Sequence, residues 1–234
     1  MRRGSRIDRP KAILFDMDGV LVDSEALHWE SVRDVLHDHL GDQAPELEPR
    51  VGWGDHELWE ELISEYPLSG TPLSLTAERE QHAVRRLTVT PPPPMPHAFE
   101  AIELLRQLDP ELKLVVVSAS PKTQINLSLA RWVDPTGDSL FDQYFSGIDD
   151  ADHNKPNPAP YLAAMRWLGL SAEECWIAED SSTGLRAALG SGGAVFAVAA
   201  LTASQDLRAQ CFQELNNLLE LVQLWRATTE IDPA

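Results

Sequence analysis

Apolar residues in the first part of the chain follow two rhythms. Ala12-Ile13-Leu14-Phe15 is an unbroken apolar run behind Lys11, and the polar cluster from Asp16 to Asp23 follows at once. This pattern predicts a short buried strand over Lys11–Phe15 that ends in a polar loop. After Ser24 the spacing turns helical: Leu27, Ser31, Val35 and Leu36 share one side of a helix that Gly41 and Pro45 end. Further helical patterns run over His56–Tyr66 and Thr76–Leu87. The run Thr90-Pro-Pro-Pro-Pro-Met-Pro96 cannot continue a helix and favours an extended polyproline geometry, which makes a stiff connector.

Beyond the prolines the two rhythms alternate. Helical spacing over His97–Leu108 gives way to a strand at Leu112–Ser118, a helix at Lys122–Val133 and an extended piece near Tyr144–Ile148. Helix Ala159–Leu168, strand Cys175–Glu179, helix Thr183–Leu189, strand Ala194–Ala199 and a final helix near Phe212–Arg226 complete the series. Such alternation predicts an α/β fold, a parallel sheet covered by helices on both faces. The first strand belongs to that sheet, so residues 11–23 and 95–234 form the α/β core. Residues 24–94 are an all-helical insertion closed by a proline-rich hinge.

Composition narrows the classes. Of 234 residues, 43% are hydrophobic and 24% charged, an ordinary globular balance, and no apolar run is long enough to span a bilayer. Residues 1–10 are basic but lead into no signal-like apolar stretch, so they read as a flexible leader rather than an export signal. Two cysteines, Cys175 and Cys211, make no disulfide framework or metal spacing, which points to a reducing cytoplasm. A net charge of −18 argues against nucleic acid or an anionic membrane as partner, since both need a basic footprint.

In an open parallel sheet the ligand crevice lies beyond the carboxyl ends of the strands, so polar residues gathered there carry weight. Asp16-Met-Asp18-Gly19 follows the first strand, with two aspartates extending to the same side and a glycine that permits a tight turn. Val117-Ser118-Ala119-Ser120-Pro121 ends the second, with Ser120 expected as a helix N-cap and Pro121 as the first helical residue, leaving amides aimed at the crevice. Taken alone, that segment is a capped helix. Lys155-Pro156-Asn157-Pro158 holds a lysine on proline-stiffened backbone. Glu179-Asp180 places adjacent acids at a strand end, where they repel unless a proton or a hard divalent cation intervenes.

These four segments in this order resemble the haloacid dehalogenase-like superfamily, in its branch of sugar-phosphate phosphatases, phosphoglycolate phosphatases and beta-phosphoglucomutases with a helical cap. The resemblance spans Lys11 to about Val222. It implies a Rossmann-like core and a cap domain, with Asp16 as nucleophile and Asp18 as general acid/base. It further implies that Ser118, Ala119 and Lys155 bind the phosphoryl oxygens, and that Mg²⁺ sits among Asp16, the Asp18 carbonyl, Asp180 and Glu179. The activity implied is hydrolysis of a small phosphorylated metabolite through an aspartyl-phosphate, with a phosphosugar mutase as the alternative and a non-catalytic metabolite-binding protein behind it. His28, Trp53 and Arg85 are the candidates for substrate specificity. The sequence departs from the family pattern at Asn154, where glycine is common, at Ala159, where aspartate is common, and over Gly190-Ser-Gly-Gly193. The Ala159 departure puts a supporting contact to Lys155 in question.

Overall fold

The computed structural model describes residues 7–48, 55–200 and 202–229. The chain forms two compact units: Met1–Asp23 with Pro93–Ala234, and Ser24–Pro92.

The first unit holds a six-stranded sheet of β1 (Ala12–Phe15), β2 (Lys113–Ser118), β3 (Gln143–Ser146), β4 (Cys175–Glu179), β5 (Ala194–Val198) and β6 (Gln213–Leu215). The order is β3-β2-β1-β4-β5-β6, and every pairing is parallel. This is the doubly wound Rossmann-like arrangement, whose strand order reverses beside β1 and opens a crevice at its carboxyl end. Each pleat sends alternate residues to opposite faces. Ile13 and Phe15 pack on one side with Ala98–Leu105 and Leu218–Trp225, while Ala12 and Leu14 pack on the other with Tyr161–Met165 and Leu185–Ala188. The covering helices are α4 (Ala98–Leu108), α5 (Lys122–Ser128), α6 (Ala159–Leu168), α7 (Ser182–Ser191), α8 (Gln205–Arg208) and α9 (Leu218–Thr229).

The second unit consists, among the described residues, of α1 (Glu25–Leu40), a short 3₁₀ turn, α2 (Asp55–Glu65) and α3 (Pro72–Val89). Trp29, Val32, Val35 and Leu36 of α1 pack with Leu58, Trp59 and Leu62 of α2 and Leu75 of α3. Thr71 caps α3 by accepting from the Ser74 amide, and proline fills its first position, both N-terminal signals. The two passages of chain into and out of this unit are joined at their base within the α/β unit. The Asp23 amide donates to the Pro93 carbonyl (2.8 Å), the Met95 amide donates to Leu21 (2.8 Å), and Val22 bridges Pro94.

Four local expectations are corrected. Helix α5 stops at Ser128 rather than Val133, because Leu129 and Trp132 turn into the core and a bridge between Val133 and Ser139 closes the turn at Asp134-Pro135. Its N-cap is Pro121, not Ser120. The carboxylate of Asp149 accepts from the Lys122 amide at 2.7 Å, and a charged acceptor at a helix start outcompetes a hydroxyl. The segment assigned to one terminal helix from Phe212 contains β6 before α9. Finally, residues 7–10 are held in place: Ile7 packs on the core, the Asp8 carbonyl accepts from the Trp176 indole, and Arg9 pairs with Asp109 at 2.8 Å while lying over the Trp225 ring. No helix among the described residues is long and apolar enough to cross a membrane.

Candidate active site

The α/β unit brings Asp16, Asp18, Ser118, Lys155, Glu179 and Asp180 to the carboxyl ends of β1, β2 and β4. Two glycines make the approach possible. Gly19 has φ +80°, and a Cβ there would lie 2.2 Å from Asp180 Oδ2, so only glycine lets the loop after β1 close against the loop after β4. Gly184 carries α7 over Glu179, where a Cβ would lie 1.8 Å from the carboxylate Oε1.

Lys155 is the hub. Its buried ammonium donates to Asp16 Oδ1 at 2.6 Å, to Glu179 Oε1 at 2.7 Å and to the Val117 carbonyl at 2.8 Å, using all three of its protons. Burial works against that charge, but Asp16 and Glu179 outweigh it and hold the ammonium above its ordinary range. Glu179 is fully buried, and its oxygens accept from Lys155, the Tyr161 hydroxyl (2.8 Å), the Asp180 and Ser181 amides and the Ser181 hydroxyl.

The remaining acids are left under strain. Burial pushes the Asp16 carboxyl up to about 8, with Glu179 adding to the effect and Lys155 opposing it. Burial likewise pushes Asp180 up to about 9, reinforced by Asp16 and Glu179. Asp180 Oδ1 is buried without a hydrogen-bond partner. Asp16, Glu179 and Asp180 can each bring one carboxylate oxygen within 4.8 Å of the others. An all-oxygen donor set with an orphaned buried oxygen and mutually repelling carboxyls fits a hard divalent cation such as Mg²⁺.

Around this group, the Ser120 hydroxyl faces Asp18 Oδ2 at 3.4 Å, and Ser118 Oγ accepts from the Ser120 amide at 3.1 Å. Asn154 donates from its amide to the Ala119 carbonyl at 2.9 Å and accepts from the Lys155 amide at 2.8 Å, tying the loop after β2 to the lysine. A glycine at 154 could not do this. Two residues outside the sequence-predicted site set thus emerge, Asn154 and Tyr161. In the sequence Asn154 is only a departure from the family pattern, and Tyr161, in the first turn of α6, carries no chemical signal.

The cap candidates belong to the helical unit. His28 Nδ1 lies 3.0 Å from Arg79 Nη1, and Arg79 also donates to Asp55 at 3.0 Å. Arg85 is exposed on α3, and Trp53 lies outside the described residues.

A family model described as haloacid dehalogenase-like hydrolase matches residues 10–192. The putative phosphatase YhcW of Bacillus subtilis (strain 168) is 29% identical over 192 residues, covering 78% of this chain and 80% of that protein. The phosphorylated carbohydrates phosphatase of Thermotoga maritima is 27% identical over 183 residues, covering 78% of this chain and 82% of that protein. Among solved structures, CbbY from Rhodobacter sphaeroides in complex with xylulose-(1,5)bisphosphate superposes with a TM-score of 0.72 at 22% identity, covering 91% of this chain and 96% of that one. That last likeness is one of fold.

Proposed function

The chain belongs to the haloacid dehalogenase-like hydrolase family, and on that premise we propose that it is a cytoplasmic Mg²⁺-dependent phosphatase that cleaves a small phosphorylated metabolite through a phosphorylated Asp16. The convergence of Asp16, Lys155 and Asp180 in one buried cluster, beside Asp18, carries the reading. Phosphatases that act on phosphorylated carbohydrates among the relatives favour a sugar phosphate or a similar compound.

Asp16 attacks phosphorus in line, and the leaving oxygen takes a proton from Asp18. Asp18 then takes a proton from the water that cleaves the acyl phosphate, regenerating the Asp16 carboxylate. Ser118, the Ala119 segment and Lys155 hold the transferring oxygens. To meet them, Lys155 exchanges one of its present bonds, and the bond to Asp16 is the one facing the reaction. Asp16 and Asp180, with the Asp18 carbonyl, would hold Mg²⁺. Glu179, its oxygens already engaged, would contribute through water or by anchoring Lys155. Bound there, the cation would offset charge on the carboxylate nucleophile and on the phosphate. Two unit charges about 4 Å apart at an effective dielectric near 20 repel by roughly 4 kcal/mol, so the offset matters in a chain this acidic.

Turnover of an activated aryl phosphate tests the reading. Hydrolysis is expected with Mg²⁺, is lost in excess EDTA and returns on adding Mg²⁺. Undiminished turnover after verified metal removal would remove the metal from the site. Substrate class follows from a panel of phosphorylated sugars, and net interconversion of beta-glucose 1-phosphate and glucose 6-phosphate that outpaces phosphate release would make the mutase the better reading.

A further inference from the structure

We infer that Tyr161 is a positioning residue that sets the height of the Lys155 ammonium, and thereby the site's grip on phosphate. This rests on the phosphatase reading above.

A lysine has four rotatable bonds, so three good acceptors do not by themselves fix where its ammonium stops. Lys155 reaches Asp16 and Glu179 at nearly equal distances, 2.6 and 2.7 Å, although the fully buried Glu179, with no water to compete for it, should pull the ammonium harder. Tyr161 opposes that pull in two ways. Its hydroxyl donates to Glu179 Oε1 at 2.8 Å, the same oxygen that Lys155 uses, so the carboxylate's attraction is shared. Its ring face lies 4.9 Å from Nζ, within cation–π range, and so holds the ammonium by a contact independent of Glu179. Tyr161 is itself fully buried and sits on α6, six residues after Lys155, so the loop and the helix that carry the two groups are one continuous segment. This also answers the Ala159 departure: the support expected from an aspartate at that position comes from Tyr161 and Glu179 instead.

Removing the hydroxyl leaves Glu179 Oε1 to Lys155 alone, and the ammonium sinks away from Asp16 and the crevice. Removing the ring as well removes the cation–π contact. Three variants separate these effects from loss of packing. Tyr161→Phe keeps the ring, Tyr161→Leu keeps neither, and Met165→Ala is a control that empties core volume on the same helix without approaching Lys155. Steady-state hydrolysis of an aryl phosphate with Mg²⁺ gives kcat, KM and the inhibition constant of inorganic phosphate, and thermal unfolding gives stability. The phosphate inhibition constant should rise about threefold in Tyr161→Phe and about tenfold in Tyr161→Leu, only a fraction of the worth of the lost contacts, because Tyr161 acts on phosphate through Lys155. Met165→Ala should leave it unchanged at a comparable thermal loss. Wild-type inhibition constants in both Tyr161 variants, or an equal rise in Met165→Ala, would overturn the assignment of Tyr161 while leaving the phosphatase reading intact. A wild-type protein that neither turns over the ester nor responds to phosphate would overturn both.

Discussion

Two clusters of charge, one in each unit, resolve opposite problems. In the helical unit, Arg86 of α3 grips Asp34 of α1 bidentately through the Nε–Nη2 edge of its guanidinium, at 2.6 and 2.7 Å, and reaches Glu30 with Nη1, at a half-exposed seam. There the hydrogen bond from Arg86 holds the Asp34 carboxyl below its ordinary range, so folding favours the charged form. In the α/β unit, one ammonium is set among the buried carboxyls of Asp16 and Glu179 and the part-buried carboxyl of Asp180, and Asp16 and Asp180 are forced the other way, up to about 8 and about 9, chiefly by burial. A cluster whose geometry lowers a carboxyl's pKa holds two elements together. One whose geometry raises it is maintained at a cost to stability and marks a place where chemistry is done.

The sharpest way to break this contrast is to remove the groups proposed to react. Asp16→Asn should lower turnover by roughly 10⁴-fold or more with no trapped acyl phosphate on rapid quench, and Asp18→Asn by about 10²–10⁴-fold, the usual worth of proton transfer. Near-wild-type turnover in Asp16→Asn would refute the covalent route. In the helical unit, Arg86→Ala should leave kcat within about twofold, because it loosens a seam and touches no reacting atom.

The second contrast is in stability. Lys155→Ala strands buried Glu179 beside Asp16 and should cost about 3–5 kcal/mol in chemical denaturation, whereas Arg86→Ala, at a half-exposed seam, should cost about 1 kcal/mol or less. Equal losses would mean that burial does not distinguish the clusters.

The smallest effect, and the most diagnostic, is the sign of the pH dependence. Asp34 binds its proton less tightly when folded, so its contribution is complete above its ordinary range and is lost as pH falls below about 4. Asp16 and Asp180 bind theirs more tightly when folded, so between about 4 and values near 8 and 9 their contribution falls as pH rises. In EDTA at pH 8, Asp180→Asn should therefore raise stability by about 0.5–2 kcal/mol, and the gain should shrink as pH falls toward about 4, below which the unfolded chain binds that proton as well. Destabilisation at pH 8 would show that the Asp180 charge is not the source of the strain.

Much of this was legible in the sequence because it depended on local signals. The fully apolar run before Asp16, the glycine at 19 and the alternating helical and extended segments identify the sheet and the strand ends directly. What escaped depended on partners distant in the chain. The strand at Gln213–Leu215 is three residues long with two exposed polar side chains, so it carries no alternation to read. Ser120 looks like a helix cap until Asp149, on another loop, takes that place. The division of labour among the acids was equally hidden: Glu179 and Asp180 are neighbours in sequence, yet the first has both oxygens bonded and the second has one oxygen bare. Tyr161 was invisible because an aromatic residue on the inner side of a helix is ordinarily just core.

The joined passages at Asp23 and Pro93 bear on the protein's evolvability. Entry and exit of the helical segment are pinned within one backbone hydrogen bond of each other, at 2.8 Å, so to the sheet the whole segment is a single closed loop. The entropy of closing a loop grows only as the logarithm of its length, about 0.6 kcal/mol per doubling, so segments of very different size can be exchanged there without shifting the register of β1 against its neighbours. The strand ends that carry the proposed site and the inserted segment are thereby free to diversify at different rates. Replacing residues 24–92 with a short glycine-serine bridge is a practical route to an autonomous α/β module.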